Sequence, residues 1–197
     1  MKELVFLLEE ESAKAMLESL LPRILHPDIR PRYIPFEGKQ DLERQMVKRL
    51  RGYANPHARF IVLRDQDNAP DCGAVKERLI ERCQEAGKAA KALVRIACKE
   101  LESFYLADLG AVEQGLGLKK LAQQQGSTKF RCPDRLGSPS RELEVLTTGE
   151  YQKVSGSRAI GWFLDPACER SPSFKNFINS IRRMEAEMLA LPNALAP

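Results

Sequence analysis

Short unbroken apolar runs alternate along this chain with segments whose apolar residues recur at helical spacing. Leu4 to Leu8 is such a run, and it predicts a strand buried on both faces, as in a parallel sheet covered by helices. From Ser12 the period changes: Ala15, Met16, Leu20, Leu21, Ile24 and Leu25 fall on one helical face, with Ser12 placed to cap it. "RPRYIPFEG" reads as a second, weaker strand, and "KQDLERQMVKRLRGY" as an amphipathic helix with Leu42, Met46, Val47 and Leu50 inward. "ARFIVLRD" is the clearest strand, "GAVKERLIERCQEAG" a helix, and "ALVRIACKELES" a strand running into an acidic turn.

Strands alternating with helices in units of about thirty residues predict an α/β fold with a mostly parallel sheet flanked by helices. After Leu106 the pattern turns helical and loop-rich. "ADLGAVEQGLG" and "LKKLAQQQ" read as helices, "RCPDRLGSPSREL" as a loop, and "SPSFKNFINSIRRMEAEML" as a long closing helix capped by Ser171 or Ser173. The last residues, "LPNALAP", are expected to fray. The division is thus an α/β core over 1–110 and a helical, loop-rich extension packed on it over 111–197.

Charge placement brings in chemistry. Three predicted strands end in acid: Glu9, Glu10 and Glu11 after the first, Asp65 and Asp67 after the third, Glu100 and Glu102 after the fourth. Ligands of an open parallel sheet gather outside the carboxyl ends of its strands, and hard oxygen donors there suit Mg²⁺ or Mn²⁺ with a phosphate. Asp65 and Asp67 follow the most buried strand and share one face by its period of two. Glu10 and Glu11 fit the N-terminus of a helix, where the dipole favours carboxylates. Asp71, after Pro70, fits either a ligand or the cap of the next helix. Of Glu100 and Glu102 only one need be a ligand, and Glu102 is favoured.

Net charge is +4, which permits contact with nucleic acid without demanding it. Lys88, Lys91, Arg95, Lys99, Arg182 and Arg183 fit a basic rim or ordinary solvated helix faces. The five cysteines include no C-x-x-C pair, which argues against a disulfide framework or a zinc knuckle and suits a reducing cytoplasm. No apolar run approaches the roughly 18 to 20 residues of a spanning helix, and the N-terminus turns acidic too early for a signal peptide, so a soluble, cytoplasmic protein with no membrane contact is expected. His26 and His57 sit beside prolines without partners at ligand spacing. Trp162, Phe104 and Tyr105 read as core anchors, and Cys98 as a small core hydrophobe within its strand.

The segments "FLLEEESAKAML", "IVLRDQD" and "KELES" resemble the Toprim domain, whose signature is a glutamate after the first strand and an Asp-x-Asp after a later one. The chain is more closely similar to a Toprim-like family of unknown function found among prokaryotic defence genes, often beside an ABC-type ATPase. That family's "ELESWFLAD" compares with "ELESFYLAD" here, and its "Y-x-K-x-x-G-x-R-I" with "YQKVSGSRAI", Tyr151 to Ile160.

The resemblance implies a Toprim/Rossmann-like fold and a Mg²⁺- or Mn²⁺-dependent nuclease or phosphodiester-processing protein acting on DNA or RNA. It matches Glu9 to the Toprim glutamate, and Asp65 and Asp67 to the Asp-x-Asp pair. Asp71 and Glu102 resemble the additional acids of the overcoming-lysogenization-defect type nucleases, which would give a metal set of Glu9, Asp65, Asp67, Asp71 and Glu102. Glu9 fits a ligand or a general acid/base, Lys153 a catalytic charge stabiliser and Arg158 a phosphate contact. The glycine that commonly follows the first glutamate is Glu10 here. Two alternatives stand beside this. One is a non-catalytic subunit that keeps the fold to dock on an ABC-type ATPase. The other is a receiver module, which fits the glutamate-first arrangement poorly.

Overall fold

The computed structural model of the protein describes residues 1–190, so the expected fraying of "LPNALAP" lies outside the described residues. Four strands form one sheet: β1 (Lys2–Leu8), β2 (Ile29–Pro35), β3 (Arg59–Asp65) and β4 (Ala92–Ala97). Their order is β2-β1-β3-β4, and every pairing is parallel. The chain leaves β1 toward β2 on one side and later returns to build β3 and β4 on the other. The order therefore reverses between the carboxyl ends of β1 and β3, the position where open α/β sheets form a crevice.

Each central strand buries both faces, which explains the unbroken apolar runs. Leu4, Phe6, Leu8, Ile61 and Leu63 join one core with α1 (Glu11–Leu20) and the closing helix α8 (Pro172–Leu189). Val5, Leu7, Phe60, Val62, Val94 and Ile96 join the opposite core with α2 (Lys39–Arg51) and α3 (Cys72–Glu85). Helix α1 begins after Glu10, ahead of the expected Ser12 cap; Ser12 is buried inside the first turn. The cap of α8 is Ser171, whose Oγ accepts the Phe174 N–H at 3.1 Å.

After β4 come α4 (Glu102–Leu106) and α5 (Leu109–Leu116), inside which the 110/111 boundary falls, and then α6 (Pro139–Leu146), α7 (Lys153–Gly161) and α8. "LKKLAQQQ" forms only a 3-10 turn over Ala122–Gly126 in place of the expected helix. Ile160, Leu164, Phe174, Phe177 and Ile181 share a single apolar core with the β1 side chains, so the extension closes one face of the sheet. Among the described residues no helix is long and apolar enough to cross a membrane.

Two expectations for single residues fail. Trp162 is 52% exposed, because α7 ends at Gly161 and Arg23 grips the carbonyls of Gly161, Trp162 and Leu164, holding this turn at the surface. Phe104 and Tyr105 are fully buried, as expected. Cys98 lies one residue beyond β4 and is half-buried, its strand ending where Lys99 turns left-handed at φ 63°. Three of the six residues of the basic rim have local partners: Lys91 donates to the Pro56 carbonyl, Arg95 to those of Asn176 and Val94, and Arg183 to Glu187.

Helix α7 runs along α1 at backbone distance. A Cβ on Gly161 would stand 2.6 Å from the Met16 carbonyl oxygen, and one on Gly115 of α5 would stand 2.8 Å from the backbone at Ile160. Gly161→Ala should therefore destabilise the fold by about 1–3 kcal/mol through overpacking, seen as a melting temperature lower by about 2–4 °C per kcal/mol. Gly126→Ala, which meets open space, should leave it unchanged.

Candidate active site

Strands β1 and β3 end side by side, and their last rungs lead directly into the acids. The Glu9 N–H donates to the Leu63 carbonyl at 3.2 Å, and the Asp65 N–H donates to Glu9 Oε2 at 3.0 Å. Glu9 is 7% exposed. The two residues belong to opposite sides of the sheet's end. Arg64 reaches Glu9 from the α2 side, with Nε 3.7 Å from Glu9 Oε2, and its Nη1 donates to Glu43 at 2.7 Å. Arg64 Nε is buried without a hydrogen-bond partner, so the pair is electrostatic only.

Asp65 faces the extension. Burial, followed by the negative charges of Glu9 and Glu102, pushes its carboxyl well above the usual carboxylate range. Burial also raises Glu9, against the opposing effect of the Asp65 N–H bond, and Asp67 adds to the rise. Glu102, 1% exposed at the start of α4, is raised by burial in the same way. Its Oε1 accepts the Tyr151 hydroxyl at 2.9 Å, and that oxygen also lies 3.2 Å from Ser157 Oγ. Tyr105 stands beside this group with a fully buried hydroxyl that has no hydrogen-bond partner, and Asp65 and Glu102 raise its pKa after burial does.

The nearest full positive charge on the extension's side is Lys153, which forms an ion pair with Glu10. Burial disfavours the Lys153 ammonium, yet Glu10, Glu102 and Asp65 together outweigh it and raise the pKa, so the side chain stays charged. A recess bounded by Glu9, Glu10, Ser12, Asp65 and Leu101 has a volume of about 10 Å³, which matches about one water-sized occupant.

The other expected site residues lie elsewhere. Asp67 does not continue the period of two. Strand β3 stops at Asp65, and Asp67 sits left-handed at φ 54° with its N–H on the Lys99 carbonyl at 2.7 Å, which turns its carboxylate to Lys39 of α2 at 3.0 Å. Asp71 is the cap of α3, accepting the N–H groups of Gly73 at 2.8 Å and Ala74 at 3.1 Å. Glu100 accepts the Ser140 N–H at 2.7 Å. Arg158 pairs with Glu18 of α1 at 2.6 Å, about 7 Å down the α7 axis from Lys153. Tyr151, Tyr105 and Glu10 were missed as members of the cluster. The "YQK" that supplies Lys153 also supplies Tyr151, but no spacing rule ties a tyrosine there to a glutamate 49 positions earlier.

Among the described residues no group of three or more Asp, Glu, His or Cys side chains stands arranged to ligate one ion. Mg²⁺ needs fewer, since it commonly binds through one or two carboxylates and keeps its remaining waters. Glu9 and Asp65, two mutually repelling carboxylates at the mouth of a water-sized recess, fit that requirement; Asp67 and Asp71, tied to Lys39 and to a helix N-terminus, do not.

A family model described as Domain of unknown function (DUF4276) matches residues 8–182. The chain belongs to the DUF4276 family. Neither the curated proteins nor the solved structures contain a match to it. The DUF4276 match takes in both the sheet and the extension, so Glu9, Asp65, Glu102, Tyr151 and Lys153 all fall inside it.

The raised carboxyls have a consequence for stability. The folded state holds protons on Asp65, Glu9 and Glu102 at pH values where the unfolded chain has released them. Their contribution is therefore complete below the ordinary carboxylate range, about pH 4, and is lost as pH rises through the raised values. In chelator-containing buffer, Asp65→Asn should melt above wild type, with a gap that widens from pH 5 to pH 8, at about 2–4 °C per kcal/mol of repulsion removed. A gap that shrinks with rising pH would contradict this reading of the cluster.

Proposed function

We propose that the protein is a divalent-cation-dependent, Toprim-type enzyme that processes phosphodiester bonds in nucleic acid. The observation that carries the reading is the meeting of Glu9 and Asp65 at the strand-order reversal, joined by the Asp65 N–H bond to Glu9 Oε2. Glu9 and Asp65 would hold Mg²⁺ or Mn²⁺, with Glu102 next to them. When bound, such a cation supplies charge neutralisation at the phosphate and a water acidic enough to attack it near neutral pH.

The chain's own residues divide the remaining work. Glu9 serves either as a ligand or as the base that accepts a proton from the attacking water. Lys153 stays protonated and stabilises charge that develops on phosphate oxygens, moving from Glu10 to do so. Tyr151 holds the Glu102 carboxyl in place, and Ser157 holds Tyr151. Gly156 makes this possible, because a Cβ there would stand 2.6 Å from the Tyr151 ring.

A second reading has one observation in its favour. Glu10, Asp67 and Glu9 each face a basic side chain, in Lys153, Lys39 and Arg64, as acids of a purely structural network would. On that reading the protein is a non-catalytic subunit that docks on an ABC-type ATPase.

Two measurements separate these readings. Mn²⁺ or Mg²⁺ at 100-fold over Kd should stabilise the wild type by about 2.7 kcal/mol, a rise of about 5–10 °C in melting temperature, and should not stabilise Asp65→Ala. In the same buffer wild type should cut DNA or RNA, and Asp65→Ala should lose about 10²-fold or more in rate. Absence of both the shift and the cleavage would leave the docking reading.

A further inference from the structure

A cleft of about 460 Å³ opens beside the acid cluster, within the range of about 300–1,000 Å³ typical of small-ligand sites. One wall is Glu102, Tyr151 and Lys153; the facing wall is Ser140, Arg141 and Glu144 of α6. That second wall is fixed from below, because the Ser140 N–H is held by Glu100, two residues before Glu102. The "ELES" turn thus presents one carboxylate to the cluster and uses the other to set the opposite side of the cleft.

Of the two cations that line this cleft, Lys153 is paired with Glu10. Arg141 differs. It is exposed on the cleft wall, and among the described residues its guanidinium has no ion pair or hydrogen bond, although Glu144 stands one turn further along the same helix. An uncommitted guanidinium facing a charged lysine across a nucleotide-sized cleft offers a planar fork plus a point charge, a combination that suits phosphate oxygens.

We propose that Arg141 and Lys153 form a phosphate-binding site in this cleft, occupied by a backbone phosphate of a nucleic-acid strand. The phosphate site stands on the cleft itself; the identity of its bearer rests on the phosphodiester reading above. Arg141 takes the role that the resemblance implied for Arg158, which does not line this cleft.

The test uses the full chain in Ca²⁺ buffer, with fluorescence anisotropy of a short labelled single strand and calorimetry of inorganic pyrophosphate as two probes. Arg141→Ala should weaken binding of both by about tenfold or more, and should make the salt dependence of oligonucleotide binding shallower by about one phosphate contact. Arg141→Lys should restore the salt slope while recovering only part of the affinity. Arg158→Ala should bind like wild type. Because Arg141 is exposed, its variants should retain the wild-type melting temperature. Arg141-dependent binding of pyrophosphate with no oligonucleotide binding by wild type would keep the phosphate site and remove the nucleic-acid strand as its bearer. Equal binding by wild type and Arg141→Ala, or binding of neither probe by wild type, would overturn the proposal.

Discussion

The carboxyl ends of β1 and β3 lie one hydrogen-bonding distance apart, and the sheet ladder runs into a pair of acids there. Glu9 donates its N–H to the last turn of β3 and accepts the Asp65 N–H on its side chain. The backbone positions of both residues are fixed by the pairing of two strands whose apolar side chains fill both cores, and the Asp65 N–H holds the Glu9 carboxylate beside them. The repulsion is thus imposed by the fold. It is only partly relieved, since Arg64 reaches Glu9 at 3.7 Å without a hydrogen bond and Asp65 has no cationic partner in direct contact among the described residues. The proposed divalent cation would relieve this stored like charge.

The extension completes the site. Helix α7 lies against α1 and α5 at glycine contacts too close for any side chain, and this fixes Lys153 over Glu10 and Ser157 under Tyr151. Tyr151 in turn holds Glu102, and α6 forms the far wall of the cleft. The cluster draws on both sides of residue 110, with Glu9, Asp65 and Glu102 before it and Tyr151 and Lys153 after it. Its hydroxyl groups are arranged unevenly: Tyr151 has three oxygen neighbours, while the buried Tyr105 hydroxyl has no hydrogen-bond partner.

Much of this architecture is legible in the sequence, for reasons that differ by element. The four strands announce themselves because strands buried on both faces need unbroken apolar runs, and Leu4–Leu8 and Phe60–Leu63 have no other explanation in a chain of this length. Glu9, Asp65 and Lys153 are readable as site residues because each follows directly from a strand end or a quoted motif. The period of two misleads at Asp67, since a single left-handed residue redirects the side chain, and nothing in "DQD" signals it. Asp71 shows the same ambiguity resolved the other way, as a helix cap. Trp162 is exposed even though its type predicts burial, because the glycine before it and Arg23 decide where the chain turns. Long-range choices of partner, such as Arg158 for Glu18 or Tyr151 for Glu102, depend on how α7 docks and leave no trace in local spacing.

On the proposed function, Glu9 and Asp65 together bind a hard divalent cation that neither binds alone. Electron paramagnetic resonance of Mn²⁺ titrated with protein tests it directly, because the free-ion signal disappears on binding. Wild type should sequester close to one Mn²⁺ per chain at this pair, and both Glu9→Gln and Asp65→Asn should abolish that binding while Asp67→Asn and Asp71→Asn retain it. Undiminished Mn²⁺ binding by Asp65→Asn, or none by the wild type, would contradict the account.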